Sequence, residues 1–203
     1  MNVVFRQVPL YRFLQYCNEC DHERIVLDCG AGGNCPPLAL FSQFGYKLNG
    51  IELDLSQIDK ASLFAEKHGL DLNIKHGDMR KLDFEDESLS FVYSYNTIFH
   101  MKKTDIHKAI EEMKRVLIPR GLLFVNLLST DDESFRSGKE IGFGEYEQLE
   151  DEETCIHTYY GIDEADSYFN GMEILYKEVR LLERIFEGKK IKQGYIDYIV
   201  KKL

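Results

Sequence analysis

Three acids stand at the ends of three apolar runs, and each has the chemistry to hold one polar part of a common ligand. In I-V-L-D-C-G-A-G-G-N, Ile25 to Asn34, Asp28 precedes Gly30 and Gly32. Glycine has no Cβ and reaches φ > 0 without strain, so a turn built this way lets backbone come close to a ligand. Dinucleotide sites use such a turn as G-x-G-x-x-G, with a helix N-terminus aimed at the pyrophosphate. Here the third glycine position of that pattern is Cys35, and the next helix opens with Pro36 and Pro37, which lack N–H donors. An acid before the turn and two missing donors after it disfavour an anion and suit a cationic or zwitterionic ligand. Glu52, in N-G-I-E-L-D, lies about 20 residues further on, where an acid accepts hydrogen bonds from both ribose hydroxyls. Asp78, in K-H-G-D-M-R, can accept from an exocyclic amine while the Met79 N–H donates to a ring nitrogen. Together they specify an adenosine carrying a positive group.

Strand-end placement is what makes these residues a set. The apolar pattern predicts strands at Ile25 to Asp28, Lys47 to Leu53, Leu72 to His76, Leu89 to Tyr95 and Leu122 to Leu128. Helical windows fall between them at Leu38 to Phe44, Ser56 to His68 and Thr104 to Leu117, a rhythm that argues for a parallel sheet. Glu173 to Phe186 and Ile191 to Val200, joined by E-G-K-K, predict an antiparallel hairpin. The expected fold is α/β: a doubly wound, mostly parallel sheet with helices on both faces and an antiparallel C-terminal hairpin, in one domain over 1–203. In such a sheet, ligands sit outside the carboxyl ends of the strands where strand order reverses. Tyr95 and Asn96, at the end of the fourth run, join the site by the same rule.

These elements, in this order, resemble the class I S-adenosylmethionine-dependent methyltransferases over roughly Val26 to Leu128. The resemblance implies that Asp28, Gly30, Ala31 and Gly32 hold the methionine part of the cofactor, S-adenosylmethionine. It implies that Glu52 holds the ribose with Leu53 flanking the ring, and that Asp78 and Met79 hold adenine. F-V-Y-S-Y-N-T-I-F-H-M, with Tyr95 and Asn96, resembles the segment lining the transfer centre, and I-P-R-G-L-L-F-V the turn after the following helix. Where that family has a third glycine this chain has Asn34, whose tolerance of left-handed backbone lets the turn survive.

Methyl transfer from a sulfonium asks the protein to align the acceptor and exclude water, with a base only if the acceptor is protonated. Candidates are His100, after the fourth strand, and His157 with Tyr160 in C-I-H-T-Y-Y. Tyr11 and Arg12 are candidates to close over the cofactor. The segment 129–166 holds thirteen acids against Arg136 and Lys139, and so accounts for the whole net charge of −10. It is too long for an ordinary connection. One reading is a solvated run; the other is a lid over the acceptor, with Phe135, Phe143, Tyr146, Tyr159, Tyr160, Tyr168 and Phe169 interleaved among the acids.

Composition narrows the partners. With 44% apolar and 30% charged residues the chain is an ordinary globular one, and its negative charge repels phosphate backbones. No nucleic acid is expected, and no apolar run approaches the ~18 residues of a membrane span, so a cytoplasmic protein is expected. Five cysteines without periodic spacing read as reduced thiols. Cys17-x-x-Cys20 reads as part of an apolar helix face, and no metal is expected. The expected acceptor is a small molecule. Two alternatives stay open: a non-catalytic S-adenosylmethionine-binding regulator, and a methyltransferase acting on a protein partner that docks on the acidic segment.

Overall fold

A computed structural model describes residues 8–150, 153–186 and 188–203, so Asp151 and Glu152 of the acidic segment and Glu187 of the hairpin turn lie outside the described residues. The chain runs α1 (Val8–Asn18), β1 (Ile25–Cys29), α2 (Leu38–Ser42), β2 (Lys47–Glu52), α3 (Leu55–His68), β3 (Ile74–His76), β4 (Leu89–Ser94), α4 (Lys103–Val116) and β5 (Leu117–Ser129). Then come β6 (Lys139–Gly142), β7 (Glu145–Glu150), β8 (Glu153–Tyr160), β9 (Met172–Phe186) and β10 (Lys189–Lys202), with short 3-10 turns at Ile98–His100 and Asp166–Phe169.

Strands β3, β2, β1, β4 and β5 lie side by side in that order and all parallel, so the order reverses between β1 and β4. Alternation along the strands sorts the core onto two faces. Val26, Phe91, Tyr93, Leu122 and Phe124 pack with Phe13 of α1 and Phe41 of α2. Leu27, Cys29, Val92, Leu123 and Val125 pack with Ile106, Ile110 and Met113 of α4. Cys17, 2% exposed, belongs to the first of these faces, as its apolar reading required. Helix α3 starts where Asp54 accepts a hydrogen bond from the Ser56 N–H at 2.8 Å and ends at Gly69, φ 63, both ordinary stop and start chemistry.

The C-terminal hairpin is present: β10 runs antiparallel to β5 from Leu122 to Leu128, and β9 pairs with β10 alone. Arg180 of β9 forms a fork onto Asp197 of β10, whose side chain is 1% exposed. Burial raises the Asp197 pKa against the opposing pull of that guanidinium. The acidic segment, read from the sequence as either a solvated run or a lid, folds as an antiparallel meander, β6 with β7 and β7 with β8. Strand β8 joins the main sheet through Leu128 to Tyr159 and Ser129 to Tyr160, parallel to β5. One edge of β5 is taken there by β10, so β8 must use the edge that β4 leaves after Val125. The meander therefore sits over the carboxyl end of β4.

Its acids are largely engaged. Asp132 accepts from the Gly194 N–H at 2.9 Å, Glu133 from the Lys192 N–H at 2.9 Å, Glu145 from the Lys103 N–H at 2.6 Å, and Asp163 and Asp166 share Lys177. A charge run becomes structure here because these carboxylates fix loops to strands.

Removing one partner of a buried ion pair leaves the other charge uncompensated, at a cost of about 3–5 kcal/mol. Arg180→Ala is therefore expected to lower unfolding stability by that amount in denaturant titration, while Asp197→Asn combined with it recovers part of the loss.

Candidate functional site

The loop after β1 carries the site. The Gly30 and Ala31 N–H groups both donate to the Ile51 carbonyl at 2.9 Å, the Gly32 N–H donates to Glu52 Oε2 at 3.1 Å, and the Gly33 N–H to the Gln57 carbonyl at 3.0 Å. Four successive donors that a dinucleotide site would aim at phosphate are spent inside the protein. Only glycine allows the path. Gly30 has φ 97 with a virtual Cβ 2.3 Å from Thr97 Cγ2, and a Cβ on Gly32 would lie 2.5 Å from that of Gln57. The expectation that Asn34 takes the left-handed turn is corrected: the second left-handed residue is Gly33, φ 96, so no strain falls on Asn34.

Beside this loop, at the point where strand order reverses, lies a cavity of about 390 Å³. Gly30, Ile51, Glu52, Leu53, Asp54, Gly77, Asp78, Met79, Thr97, His100 and Met101 line it, with no lysine or arginine among them. The volume falls in the range of small-ligand sites, about 300–1,000 Å³. Of the residues singled out from the sequence, Gly30, Glu52, Leu53, Asp78, Met79 and His100 meet here. Glu52 is held by three backbone donors: Gly32 on one oxygen, and Leu53 and Asp54 on the other at 2.8 and 3.0 Å. Asp78 is gripped by Arg80 through Nε and Nη2, the latter at 2.6 Å, and Arg80 reaches on to Asp105. That side-chain pairing holds the Asp78 carboxyl below its ordinary value.

The remaining residues lie outside the cavity lining. Ala31 is buried in the core with Val26 and Phe41, and Gly32 bonds Glu52. Tyr95 packs against Phe124. Asn96, φ 55, exchanges hydrogen bonds with buried Asn126: its N–H donates to Oδ1 at 2.7 Å and its Oδ1 accepts from Nδ2 at 2.6 Å. That exchange ends β4 sharply. Asp28 points to the aromatic face of the sheet rather than along it, fully buried, and neither carboxylate oxygen makes a hydrogen bond. Burial raises its pKa well above 3.8; the Tyr93 hydroxyl is near enough to ease that shift and Glu52 adds to it. Arg12 does not close over the site: it pairs with Glu178 at 2.7 Å and lies over the Tyr176 ring.

Two histidines separated by 57 positions in sequence come together, with ring centroids 4.7 Å apart. Burial first, and His157 second, lower His100 to about 4, so it is a neutral and weakly basic imidazole at pH 7. Tyr160 does not join them. Side chains three apart on a strand leave from opposite faces, and Tyr160 packs beside Lys103 and Tyr168 in the α4 core. Its burial also pushes the hydroxyl pKa up, away from base chemistry. Cys155, not singled out from the sequence, lies 3.1 Å from His100 Nδ1. The signal for it was Cys155-x-His157 on one strand, where alternate residues share a face. A second cavity, about 530 Å³, opens under the meander among Phe135, Phe143, Tyr146 and Tyr159.

Residues 27–125 match the family described as a methyltransferase domain. A sterol 24-C-methyltransferase from Gibberella zeae is 31% identical over 102 residues, 49% of this chain and 26% of that one. A sterol 24-C-methyltransferase from Pneumocystis carinii is 28% identical over 166 residues, 80% of this chain and 39% of that one. The chain spans between 26% and 42% of the length of the first curated relatives it matches. The solved structure of a SAM-dependent methyltransferase from Methanosarcina mazei shares the fold, with a TM-score of 0.75 at 23% identity over 93% of this chain and 97% of that one.

Two outcomes test this geometry. Gly30→Ala, strained in both φ and space, is expected to lower the melting temperature and close the cavity's rim; an unchanged melt and an unchanged ligand affinity would contradict it. In the folded chain Asp28 keeps its proton above 3.8, where the unfolded chain has lost it, so stability falls as pH rises from 3.8 toward the raised folded value. Asp28→Asn mimics the neutral acid. Its melting temperature should exceed that of the natural chain by a margin that widens as pH rises above about 4, and a constant margin would show that Asp28 does not titrate this way.

Proposed function

We propose that this chain, which carries a methyltransferase domain over residues 27–125, transfers a methyl group from S-adenosylmethionine to a small-molecule acceptor by in-line displacement. The observation that carries the reading is the glycine loop with all four donors spent, set against an acid-lined cavity with no lysine or arginine. Such a site repels phosphate and accepts a ligand that is positive at one end and neutral along the rest. The cofactor brings an electrophilic methyl group on a positively charged sulfur.

The chain's own residues do the holding. A carboxylate offers about four acceptor positions, so Glu52 keeps capacity for a ribose hydroxyl, on Oε2, beyond its three backbone donors. Asp78, stiffened by Arg80, accepts from the exocyclic amine, the Met79 N–H serves a ring nitrogen, and Leu53 and Met79 flank the ring. Ile51, Thr97 and Met101 complete a dry wall. Keeping water out matters because the sulfur's charge disappears as the new bond forms, and alignment supplies much of the remaining rate. The meander and the His100 side of the cavity face the acceptor. Phe135, Phe143, Tyr146 and Tyr159 of the second cavity offer apolar surface to that molecule beside Arg136, Glu140 and Glu164, and the names of the relatives carry sterol acceptors.

Calorimetric titration with S-adenosylmethionine and with NAD tests the cofactor: heat with the first and none with the second is expected. Glu52→Gln should weaken the former at least about tenfold, as the loss of charge-assisted hydrogen bonds implies. Formation of S-adenosylhomocysteine over a panel of neutral, cationic and sterol-like small molecules then tests the acceptor. No heat with S-adenosylmethionine, or methyl transfer to nucleic acid or protein alone, would overturn the reading.

A further inference from the structure

Three side chains drawn from two distant parts of the chain converge where the meander meets the end of β4. His100 comes from the turn after β4, and Cys155 and His157 come from alternate positions of β8, so both leave the strand on one face. One ligand-type atom of each lies within 4.8 Å of the others, and His100 Nδ1 and Cys155 Sγ are 3.1 Å apart. We propose that His100, Cys155 and His157 form a binding site for a divalent transition-metal ion, with zinc the favoured occupant.

The donor set makes the choice of ion. Two imidazoles and one thiolate suit a borderline cation and give magnesium or calcium, which want oxygen ligands, nothing to bind. Around a tetrahedral zinc, with Zn–S of about 2.3 Å and Zn–N of about 2.0 Å, ligand atoms lie about 3.3–3.6 Å apart. The His100 to Cys155 separation is already as short as that, and the widest separation is within what rotation of a ring closes. The surroundings are right for a held ion. His157 is 5% exposed, Phe99 and Tyr159 pack against its ring, and Thr158 fastens β8 to the Met101 carbonyl at 2.6 Å. The backbone contacts thus hold β8 against the turn after β4, and the ion would organise side chains there.

Three protein ligands leave one tetrahedral position for solvent or for an atom of a bound molecule, as in zinc sites that do chemistry rather than those that only brace a fold. His100 also lines the cavity beside the glycine loop, so one imidazole separates the ion from that pocket. A hydroxyl or thiol in the fourth position loses its proton readily. The metal site stands or falls independently of the methyl-transfer reading, because its test uses the ion alone.

The test is titration of the metal-stripped full chain with cobalt(II), whose visible bands report tetrahedral geometry and whose near-ultraviolet thiolate charge-transfer band reports a Cys ligand. One equivalent per chain is expected, with zinc displacing it and erasing both signals. Cys155→Ser should remove the charge-transfer band, and Cys155→Ser and His157→Gln should each weaken binding at least about tenfold. Circular dichroism of each stripped variant checks that the fold survives, and Cys35→Ser, on an exposed cysteine elsewhere, should leave the spectrum unchanged. A featureless spectrum with excess cobalt overturns the proposal. So does a charge-transfer band that persists in Cys155→Ser, which would put the ion on another thiol such as Cys20.

Discussion

The loop after β1 hangs by its own N–H groups from the end of β2 and the start of α3, and the rest of the site is arranged around that attachment. A backbone donor used inside the protein cannot serve a ligand as well. By tying off Gly30, Ala31, Gly32 and Gly33 the chain gives up the anion-binding use of a glycine turn and keeps only its shape. Glu52 links the two halves of this arrangement, since the same carboxylate that braces Gly32 also caps its own loop and faces the cavity. The close approach is possible because β2 carries Gly50, where a Cβ would strike Ala31 and Leu38.

A second attachment closes the site from the other side of the reversal point. Asn96 at the end of β4 and Asn126 in the middle of β5 trade hydrogen bonds, and Thr97 bridges to the Gly30 carbonyl at 3.4 Å. Buried side-chain amides must be satisfied or they cost stability. Asn96 satisfies the buried Asn126 amide and sets the turn that delivers Thr97, His100 and Met101 to the cavity. The meander then packs on that turn through Phe99, Tyr146 and Tyr159.

The parallel core was legible almost residue by residue, because buried strands read as apolar runs and the helical windows between them keep a different period. All five predicted parallel strands reach within one residue of their observed C-terminal ends, and β3 loses Leu72 and Asn73 at its start because Asn73 turns at φ 47. Strand β5 begins earlier than its apolar run, at Leu117, since Arg120 takes a left-handed conformation and lets Ile118 and Pro119 stay extended. Glu52 and Asp78 were legible as strand-end acids. Asp28 was legible as an acid but not in its direction: the alternation that points Leu27 and Cys29 at α4 sends Asp28 to Tyr93 and Phe41. The meander was hidden because its paired strands are rich in acids, and such strands look like solvated loop. Once β8 is a strand, the pairing of His157 with Tyr160 fails and that of His157 with Cys155 follows.

Strand β8 enters the ladder of the main sheet at two residue pairs, on the one stretch of β5 edge that β4 leaves vacant. Everything from β6 to β8 is thus grafted onto a sheet that is complete without it: β5 has β4 and β10 along its length. A graft of that kind can change its length, its charge or its aromatic lining while the five-strand frame and its glycine loop keep their register. The cavity beside the glycine loop and the surface of the graft are therefore heritable separately in this architecture, and a library confined to residues 130–160 would alter one while inheriting the other intact.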